Sequence, residues 1–229
     1  MTSTLRLTEA SVRLADTDVL RCIDLDIEAR TIAVVGDNGS GKSTLARLIG
    51  GLVRPTSGRV EVLGSDAVGD AAALRRRVAV VFSNPDAQII MPTVAEDVAF
   101  SLRADRLPRE ERDRRVATAL DRFGLTDLAD RPAYELSGGQ KQLLALCGAF
   151  VRSPELVVAD EPTAFLDGRN AHTVAAHLLS DAGHRLVVVT HDLDLAARCE
   201  VAVRVHDGRV AAVGGAAEVV AAHAASWRC

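Results

Sequence analysis

Short runs of apolar, mostly β-branched residues recur along this chain without the polar alternation of a half-exposed strand. They are Thr31–Val35, Val78–Phe82, Leu156–Ala159 and Leu186–Thr190. Such runs are typical of strands buried on both faces of a parallel sheet. Helical patterns separate them. The sequence therefore predicts an α/β fold, in which ligands bind at the carboxyl ends of the strands.

Other segments alternate apolar and polar residues, as strands with one exposed face do. Leu5–Leu14 and Val19–Ile27 flank a predicted turn at Ala15–Asp18. Arg59–Leu63 alternates again after Pro55–Gly58, whose residue types favour a turn. We expect the three strands to form a small antiparallel sheet.

A hairpin is predicted late in the chain, where Asp207-Gly208 separates Val201–His206 from Arg209–Val213. Asp-Gly between two such segments is a strong signal for a two-residue turn. The pattern from Thr93 to Phe123 is helical and highly charged, with a break at Leu107–Pro108. The other predicted helices are Ala71–Arg77, a helix capped by Ser137 and running to about Val151, Arg169–Leu179 and Ala216–Ala225.

Composition narrows the class of protein. Of the 229 residues 48% are apolar, which is enough for a sizeable core, and the net charge of −4 argues against a broad basic surface for nucleic acid. The four cysteines Cys22, Cys147, Cys199 and Cys229 lack metal-ligand spacing and are interpreted as reduced cytosolic thiols. The chain begins without an apolar signal core, and no run approaches the roughly 20 apolar residues of a membrane span.

The segment Gly36–Ser43 fits the pattern G-x-x-x-x-G-K-[ST] and lies between a predicted strand and a predicted helix that begins at about Lys42. In this pattern, successive backbone N–H groups and the positive end of the helix form an anion site. We expect Lys42 to neutralise the β- and γ-phosphates of a nucleotide and Ser43 to ligate Mg²⁺. The residues predicted to bind the nucleotide here are Gly36, Asp37, Asn38, Gly39, Ser40, Gly41, Lys42, Ser43 and Thr44.

Carboxylates and a histidine come directly after two of the buried strands. Asp160 ends one strand and is predicted to hold Mg²⁺, while Glu161 is predicted to act as general base on the attacking water. His191 comes after the next strand at the same predicted edge, where a contact with the γ-phosphate or with water is expected. Alone, the two carboxylates are equally well explained as solvated strand-end residues; the phosphate loop favours the catalytic interpretation.

A second candidate anion site begins at Leu136–Gln140, where Ser137 caps a helix that starts with Gly138 and Gly139. Two anion half-sites in one chain suggest that two copies face each other. Each copy would then donate Ser137, Gly138, Gly139 and Gln140 to the nucleotide held by the other.

Together these motifs closely resemble those of the ATP-binding-cassette ATPases, from Leu5 to about Val213. The motifs occur in the family's order: Gly36–Ser43 (Walker A), Leu136–Gln140 (signature), Leu156–Glu161 (Walker B), Ala164–Asp167 (D-loop) and His191 (switch histidine). The resemblance implies ATP and Mg²⁺ as cofactors, a P-loop core of the RecA type with an antiparallel β-subdomain and a helical subdomain, and head-to-tail dimers. It also implies a single ATPase domain, residues 1–229. Within this domain, residues 5–63 would form the β-subdomain, interleaved with the core, and residues 84–152 the helical subdomain. Residues 153–213 would form the rest of the core, and residues 214–229 a C-terminal helix.

A finer resemblance lies in Asn84–Gln88 and Thr93–Phe100, which look like the N-P-D-x-Q and V-x-E-D-V-A-F segments of energy-coupling-factor importer ATPases. Val12–Leu14, Ala46–Leu48 and Gln88–Thr93 look most like the biotin-transport member, and the cobalt and nickel members are the runners-up.

The chain departs from the family pattern at three places. Ser83 stands where Gln is usual, so either a bridging water or Gln88 takes the place of that Gln beside Mg²⁺. Leu14 replaces the aromatic residue that stacks on adenine and offers only apolar contact. Ala164 replaces a common Ser at the start of the D-loop.

The resemblance implies an ATP-hydrolysing subunit on the cytoplasmic face of a membrane. Its expected partners are a second ATPase subunit, identical or not, a transmembrane coupling subunit and a substrate-binding membrane subunit; nucleic acid is not expected. The alternatives are the ATPase of an exporter and a DNA-repair ATPase. The DNA-repair class inserts a long coiled coil between the Walker motifs, whereas the gap here is short and lacks heptads. A stand-alone P-loop kinase or GTPase would leave Leu136–Gln140 without a role.

Overall fold

The computed structural model describes residues 3–180 and 183–228, so Cys229 lies outside the described residues. The strands are β1 (Leu5–Leu14), β2 (Thr17–Ile27), β3 (Thr31–Val35), β4 (Ser57–Val62), β5 (Ser65–Asp66), β6 (Val78–Val81), β7 (Leu156–Asp160), β8 (Arg185–Val189), β9 (Val201–His206) and β10 (Arg209–Gly215). The α-helices are α1 (Lys42–Ile49), α2 (Ala71–Arg77), α3 (Val94–Ser101), α4 (Arg109–Arg122), α5 (Gly138–Phe150), α6 (Gly168–Leu179), α7 (Leu193–Ala197) and α8 (Ala216–Ala225).

The chain folds into two compact units. The first unit comprises Met1–Val80, Glu155–Glu161 and Leu179–Cys229, and the second comprises Val81–Pro154 and Pro162–Leu178. The finer division into subdomains that the sequence suggests stays a prediction.

The first unit contains the predicted antiparallel sheet, in the strand order β2-β1-β4-β5. Alternate residues of β1 are buried, among them Leu5, Leu7 and Val12, which explains the apolar–polar alternation in the sequence. The predicted turn at Ala15–Asp18 is wrong in extent, because Thr17 and Asp18 already pair with Leu14 and Arg13. An ion pair joins Arg13 Nε to Asp18 Oδ1 at 2.6 Å across this strand end.

The larger sheet has the order β10-β9-β3-β8-β7-β6. β3 runs parallel to β8 and β9, and β7 runs parallel to β8. Every residue of β3 and of β7 is buried, as predicted for strands covered on both faces. The predicted mixed fold, with one mainly parallel and one antiparallel sheet, is confirmed.

Helix α1 is part of the core of the first unit. Leu45, Leu48 and Ile49 are fully buried, and α1 contacts β7 and β8 of the larger sheet and β2 and β4 of the smaller one. Its first residue therefore lies where β3, a buried strand, ends, separated only by the loop from Gly36 to Gly41.

The second unit is mainly helical. α3 packs against α4 and α5, and α4 also packs against α5. α3 begins with a capping box in which Thr93 and Glu96 bond each other's backbone N–H groups. Lys141 Nζ of α5 lies 2.7 Å from Asp86 Oδ1, which ties α5 to the loop after β6.

Two short elements were missed at the sequence level. Helix α7 is capped by Asp192, whose Oδ1 accepts hydrogen bonds from the N–H groups of Asp194 and Leu195. An Asp after a buried strand is an N-cap signal and could have predicted it. The other is β5, whose two residues are too few for a periodic pattern. The hairpin at Asp207-Gly208 is confirmed, with positive φ values of 47° and 72°.

Candidate functional site

The phosphate-loop sequence Gly36–Ser43 connects β3 to α1, as predicted. Two glycines are required by close approach as well as by their positive φ angles. A Cβ on Gly36 would lie 2.1 Å from Val205 O, and one on Gly41 would lie 2.9 Å from the Leu20 side chain. Neither position tolerates a side chain without movement of its neighbours. The loop backbone therefore packs tightly on β9 and β2, and α1 begins directly after it.

Lys42 is the first residue of α1 and is only 6% exposed. Its Nζ donates hydrogen bonds to Gly36 O and Asp37 O, both at 2.8 Å. Burial lowers the pKa of this ammonium, and the nearby carboxylates of Glu161, Asp37 and Asp160 oppose that shift. A buried cation thus lies at the predicted phosphate site, bonded to the loop's own carbonyl oxygens.

The Ser43 hydroxyl donates a hydrogen bond to Asp160 Oδ1 at 3.0 Å. Asp160 is the last residue of β7 and is 7% exposed. The two residues are 117 positions apart in the chain. A hydroxyl and a carboxylate side by side form a donor set that suits a hard divalent cation such as Mg²⁺.

Glu161 and His191 form a second pair at the same edge of the sheet. Glu161 Oε2 accepts a hydrogen bond from His191 N at 3.2 Å. Glu161 Oε1 lies 3.3 Å from His191 Nε2 but without hydrogen-bond geometry. Burial raises the pKa of Glu161, which the His191 N–H, the His191 ring and Lys42 partly oppose. The Glu161 backbone has a φ of 50°, an uncommon value for a residue with a side chain.

The other predicted nucleotide contacts in the first unit lie in or beside the loop. Asp37, Asn38 and Gly39 are exposed at its tip, whereas Ser40 and Thr44 are buried. Leu14 is 41% exposed at the end of β1, so it offers an accessible apolar side chain. Its predicted contact with adenine stays a prediction.

The signature residues lie in the second unit. Ser137 Oγ accepts a hydrogen bond from Gln140 N at 3.3 Å, and Gln140 Oε1 accepts one from Ser137 N at 2.9 Å, which completes a capping box at the start of α5. A Cβ on Gly139 would lie 2.5 Å from the end of the Asn170 side chain, which would have to move to admit it. Ser137 and Gly138 are exposed, which leaves the helix start open to solvent.

Gln88 is also in the second unit, where its Oε1 accepts a hydrogen bond from Phe82 N at 2.7 Å. The Gln88 amide oxygen is therefore engaged by the backbone of the residue directly before Ser83. Its predicted contact with Mg²⁺ stays a prediction.

Sequence reasoning missed the role of Asp97, which is 7% exposed. Its Oδ1 accepts hydrogen bonds from Ile90 N at 2.8 Å and Met91 N at 3.0 Å. One buried carboxylate thus holds the loop Gln88–Thr93 to α3, while Ile90 remains 66% exposed. An Asp in the first turn of an apolar helix was the available signal, but it did not indicate which residues it would bind.

The geometry of the first unit, with a phosphate loop, a Ser–Asp pair and a strand-end glutamate, defines a P-loop nucleotide hydrolase. A family profile described as ABC transporter matches residues 20–164. The chain belongs to the ABC transporter family, as one of its ATPases.

Relatives with assigned names support this membership. The biotin transport ATP-binding protein BioM of Rhizobium etli is 43% identical over 202 residues, which cover 88% of this chain and 89% of that protein. The energy-coupling factor transporter ATP-binding protein EcfA1 of Lacticaseibacillus paracasei is 41% identical, with 82% and 69% covered. The nickel import ATP-binding protein NikO of Rhodobacter capsulatus is 42% identical, with 88% and 85% covered.

Solved structures give the same family. A structure described as cbiO1 from Clostridium perfringens, part of the ABC transporter complex cbiONQ, aligns with a TM-score of 0.87 and 31% identity over 99% of this chain and 94% of that one. A dimeric ATP-binding cassette in a post-hydrolysis state, bound to ADP and Pi, aligns with a TM-score of 0.81 and 27% identity over 92% and 98%. The predicted resemblance to energy-coupling-factor ATPases is confirmed. Among the described residues, no helix is long and apolar enough to cross a membrane.

The raised pKa of Glu161 predicts a pH-dependent gain in stability for Glu161→Gln in the nucleotide-free protein. At pH 7 the variant should melt at a higher temperature than the wild type, because a neutral amide replaces a partly buried, ionised carboxylate. The folded wild type binds this proton more tightly than the unfolded chain. The stability of the wild type relative to the variant therefore rises as the pH falls through the folded pKa of Glu161. The difference in melting temperature should be gone below about pH 4.5, the ordinary pKa of a glutamate.

Thermal melts of both proteins between pH 4 and pH 8 test this. The matched control is Glu218→Gln, the same substitution at an exposed position in α8, which should melt like the wild type throughout. A Glu161→Gln protein whose melting temperature equals that of the wild type at every pH would contradict the prediction.

Proposed function

We propose that this chain is the ATP-hydrolysing subunit of a membrane importer of the energy-coupling-factor type. It would work as a head-to-tail dimer whose closure around ATP drives a transmembrane coupling subunit. The observation that carries the proposal is the hydrogen bond between Ser43 and Asp160, because it joins the phosphate loop to a strand-end carboxylate. The functions named for BioM, EcfA1 and NikO support the importer class.

The residues at this site fit bound Mg²⁺. Ser43 and Asp160 would hold the ion, which would neutralise charge on the β- and γ-phosphate oxygens. The charge balance favours this assignment. Lys42 faces the carboxylates of Asp160 and Glu161, so a triphosphate entering alone would meet more negative than positive charge. Gln88 remains a further candidate ligand of Mg²⁺, but its side chain would first have to give up the hydrogen bond from Phe82 N.

For hydrolysis, Glu161 is the proposed general base. Its pKa is raised by burial, which moves it toward the range in which a carboxylate takes a proton from water effectively. The His191 N–H holds one carboxylate oxygen in place, and the His191 ring is exposed enough to reach a γ-phosphate or the attacking water. Lys42 would stabilise the charge on the transferred phosphoryl group.

The proposed dimer rests on the signature residues. Ser137 and the N–H groups of Gly138 and Gly139 form an open helix start suited to phosphate. We propose that they complete the ATP site of the second subunit, with Gln140 supporting Ser137 through the capping box. The dimeric, ADP-bound relative supports this arrangement.

Transport would require docking to membrane subunits, which would place the chain on the cytoplasmic face of the membrane. The segment Asn84–Thr93 and the helix after it, α3, form the proposed docking surface, since Asp97 fixes the backbone of this segment and Ile90 projects from it. Of the candidate transported substrates, we propose biotin first and cobalt or nickel next. BioM supports biotin and NikO supports nickel; the substrate would bind to a separate membrane subunit.

Lys42→Ala should abolish ATP hydrolysis and weaken ATP binding by about tenfold or more, since a buried charge-assisted contact to the phosphates is lost. Measurements of ATPase rate and of binding of a fluorescent ATP analogue test this. Arg47→Ala, which removes an exposed cation from the same helix, should change neither. Wild-type hydrolysis by the Lys42→Ala protein would rule out the assignment.

Ser137→Arg should remove hydrolysis and leave ATP binding by the isolated subunit nearly intact. The reason is that a bulky side chain would block the approach of the second subunit without touching the phosphate loop. ATPase assays and nucleotide titrations of the purified variant separate the two effects. Normal hydrolysis, or loss of ATP binding by the monomer, would contradict the composite site.

Mixing Ser137→Arg with Lys42→Ala sharpens the same test. In a mixed dimer both lesions fall on one composite site, and the other site has intact Lys42 and Ser137. Activity that neither variant shows alone would support the composite arrangement and show that one site can act by itself.

Ile90→Asp should prevent assembly with membrane subunits and leave ATP binding intact, because a charge replaces an exposed apolar contact. The measurement is co-purification of membrane proteins with the tagged chain from detergent extracts of its native host. Val68→Asp, at an exposed apolar residue of the first unit, is the matched control. Undiminished co-purification with Ile90→Asp would place the docking surface elsewhere.

A further inference from the structure

The side chain of Asn170, in the first turn of α6, contacts two motifs of the second unit at once. One of them is the segment Ala164–Asp167. Asn170 Nδ2 donates a hydrogen bond to Asp167 Oδ2, and the Asn170 backbone N–H donates one to Asp167 Oδ1, both at 2.8 Å. The backbone N–H and then the side-chain amide lower the pKa of the Asp167 carboxyl below its usual range. The carboxyl is therefore ionised at neutral pH and accepts both bonds as a charged group.

The same amide packs on Gly139, one of the signature residues. A Cβ on Gly139 would lie 2.5 Å from Asn170 Cγ, 2.6 Å from Nδ2 and 2.7 Å from Oδ1. Because Gly139 has no Cβ, the amide can lie directly against the start of α5. Gly139 is buried there, whereas Ser137 and Gly138 beside it are exposed. A phosphate bound at Ser137 and Gly138 would therefore act on a helix start that is already in contact with Asn170.

The segment Ala164–Asp167 has a backbone conformation that requires support from its neighbours. Phe165 has a φ of 63°, in the left-handed region that residues with side chains seldom adopt. Its side chain is 99% exposed, so packing of the ring does not hold the backbone in place. Such conformations persist where the surrounding structure determines them. The bonds between Asp167 and Asn170 fix one end of this segment, and the other end follows shortly after Glu161 in the chain.

We propose that Asn170 is a positioning residue that couples the two ATP sites of the dimer. This inference rests on the proposed composite site, in which Ser137 and Gly138 bind the nucleotide held by the second subunit. That contact would fix the start of α5 and, through the Asn170 amide, the segment that follows Glu161. Glu161 acts on the nucleotide held by its own chain. Occupancy of one site would thereby align the general base of the other.

Asn170→Ala removes the amide and retains a residue that favours a helix. In assays of ATPase rate against ATP concentration, kcat should fall by about three- to tenfold, as expected for the loss of one exposed hydrogen bond, and KM should change less. The Hill coefficient should exceed 1 in the wild type and fall to about 1 in the variant, because the sites no longer respond to each other. The matched control is His172→Ala, at an exposed position of the same helix, which should keep the wild-type values.

Gly139→Ala tests the same contact from the other side. The added methyl group would displace the Asn170 amide from Asp167, so kcat and the Hill coefficient should fall as they do in Asn170→Ala. In the double variant there is no amide to displace, and Gly139→Ala should add no further loss. Asn170→Asp keeps the shape against Gly139 but repels the Asp167 carboxylate, so it should behave like Asn170→Ala. Circular dichroism and thermal melts check that each variant is folded.

Multiplied losses in the double variant would overturn the proposal, since the two residues would then act independently. Wild-type kinetics in Asn170→Ala, equal losses in His172→Ala, or a wild type with a Hill coefficient of about 1 would also overturn it. Ser137→Arg separates this result from the function on which it rests. Normal hydrolysis by Ser137→Arg would defeat the composite site and the coupling together. Loss of hydrolysis by Ser137→Arg, with wild-type kinetics in Asn170→Ala, would defeat the coupling alone.

Discussion

The parallel pairing of β3 with β8 and of β8 with β7 is the constraint on which the candidate site depends. Val34 pairs with Val189, and Asp160 pairs with the same residue from the other side. The phosphate loop, Asp160–Glu161 and His191 therefore emerge level at one edge, although they are far apart in the chain. A slip of one residue in either pairing would turn Asp160 away from Ser43.

This alignment explains why much of the fold and site could be predicted from the sequence. Strands buried on both faces have no polar alternation, so β3, β7 and β8 are visible as apolar runs, and the residues directly after each run must lie at the carboxyl edge. Local structure can be predicted equally well where a single residue type determines the backbone conformation. The turn at Asp207-Gly208 and the helix start capped by Ser137 are examples. These features depend on neighbours within a few positions.

Hydrogen bonds between a side chain and a backbone N–H group six or seven residues away were not predictable in the same way. Nothing in the pattern around Asp97 shows that it binds the N–H groups of Ile90 and Met91. The same holds for Gln88, which was assigned to a metal ion and which the structure places on Phe82 N. The charged residues of α4 suggest a solvated face, but they do not show that Phe123, directly after this helix, packs against Phe150 of α5. Periodicity gives the face of an element, whereas the partner of that face depends on tertiary packing.

The transported substrate is hidden from the sequence for a related reason. BioM and NikO are each more than 40% identical to this chain, yet one is named for biotin and the other for nickel. The features that define the phosphate site in this chain are glycines without room for a Cβ, a buried lysine and a strand-end carboxylate. All of them concern ATP, which every such ATPase handles alike. In the proposed importer, selection for a particular substrate would act on the membrane subunit that contacts it, and on this chain only through the proposed docking segment Asn84–Thr93 and α3.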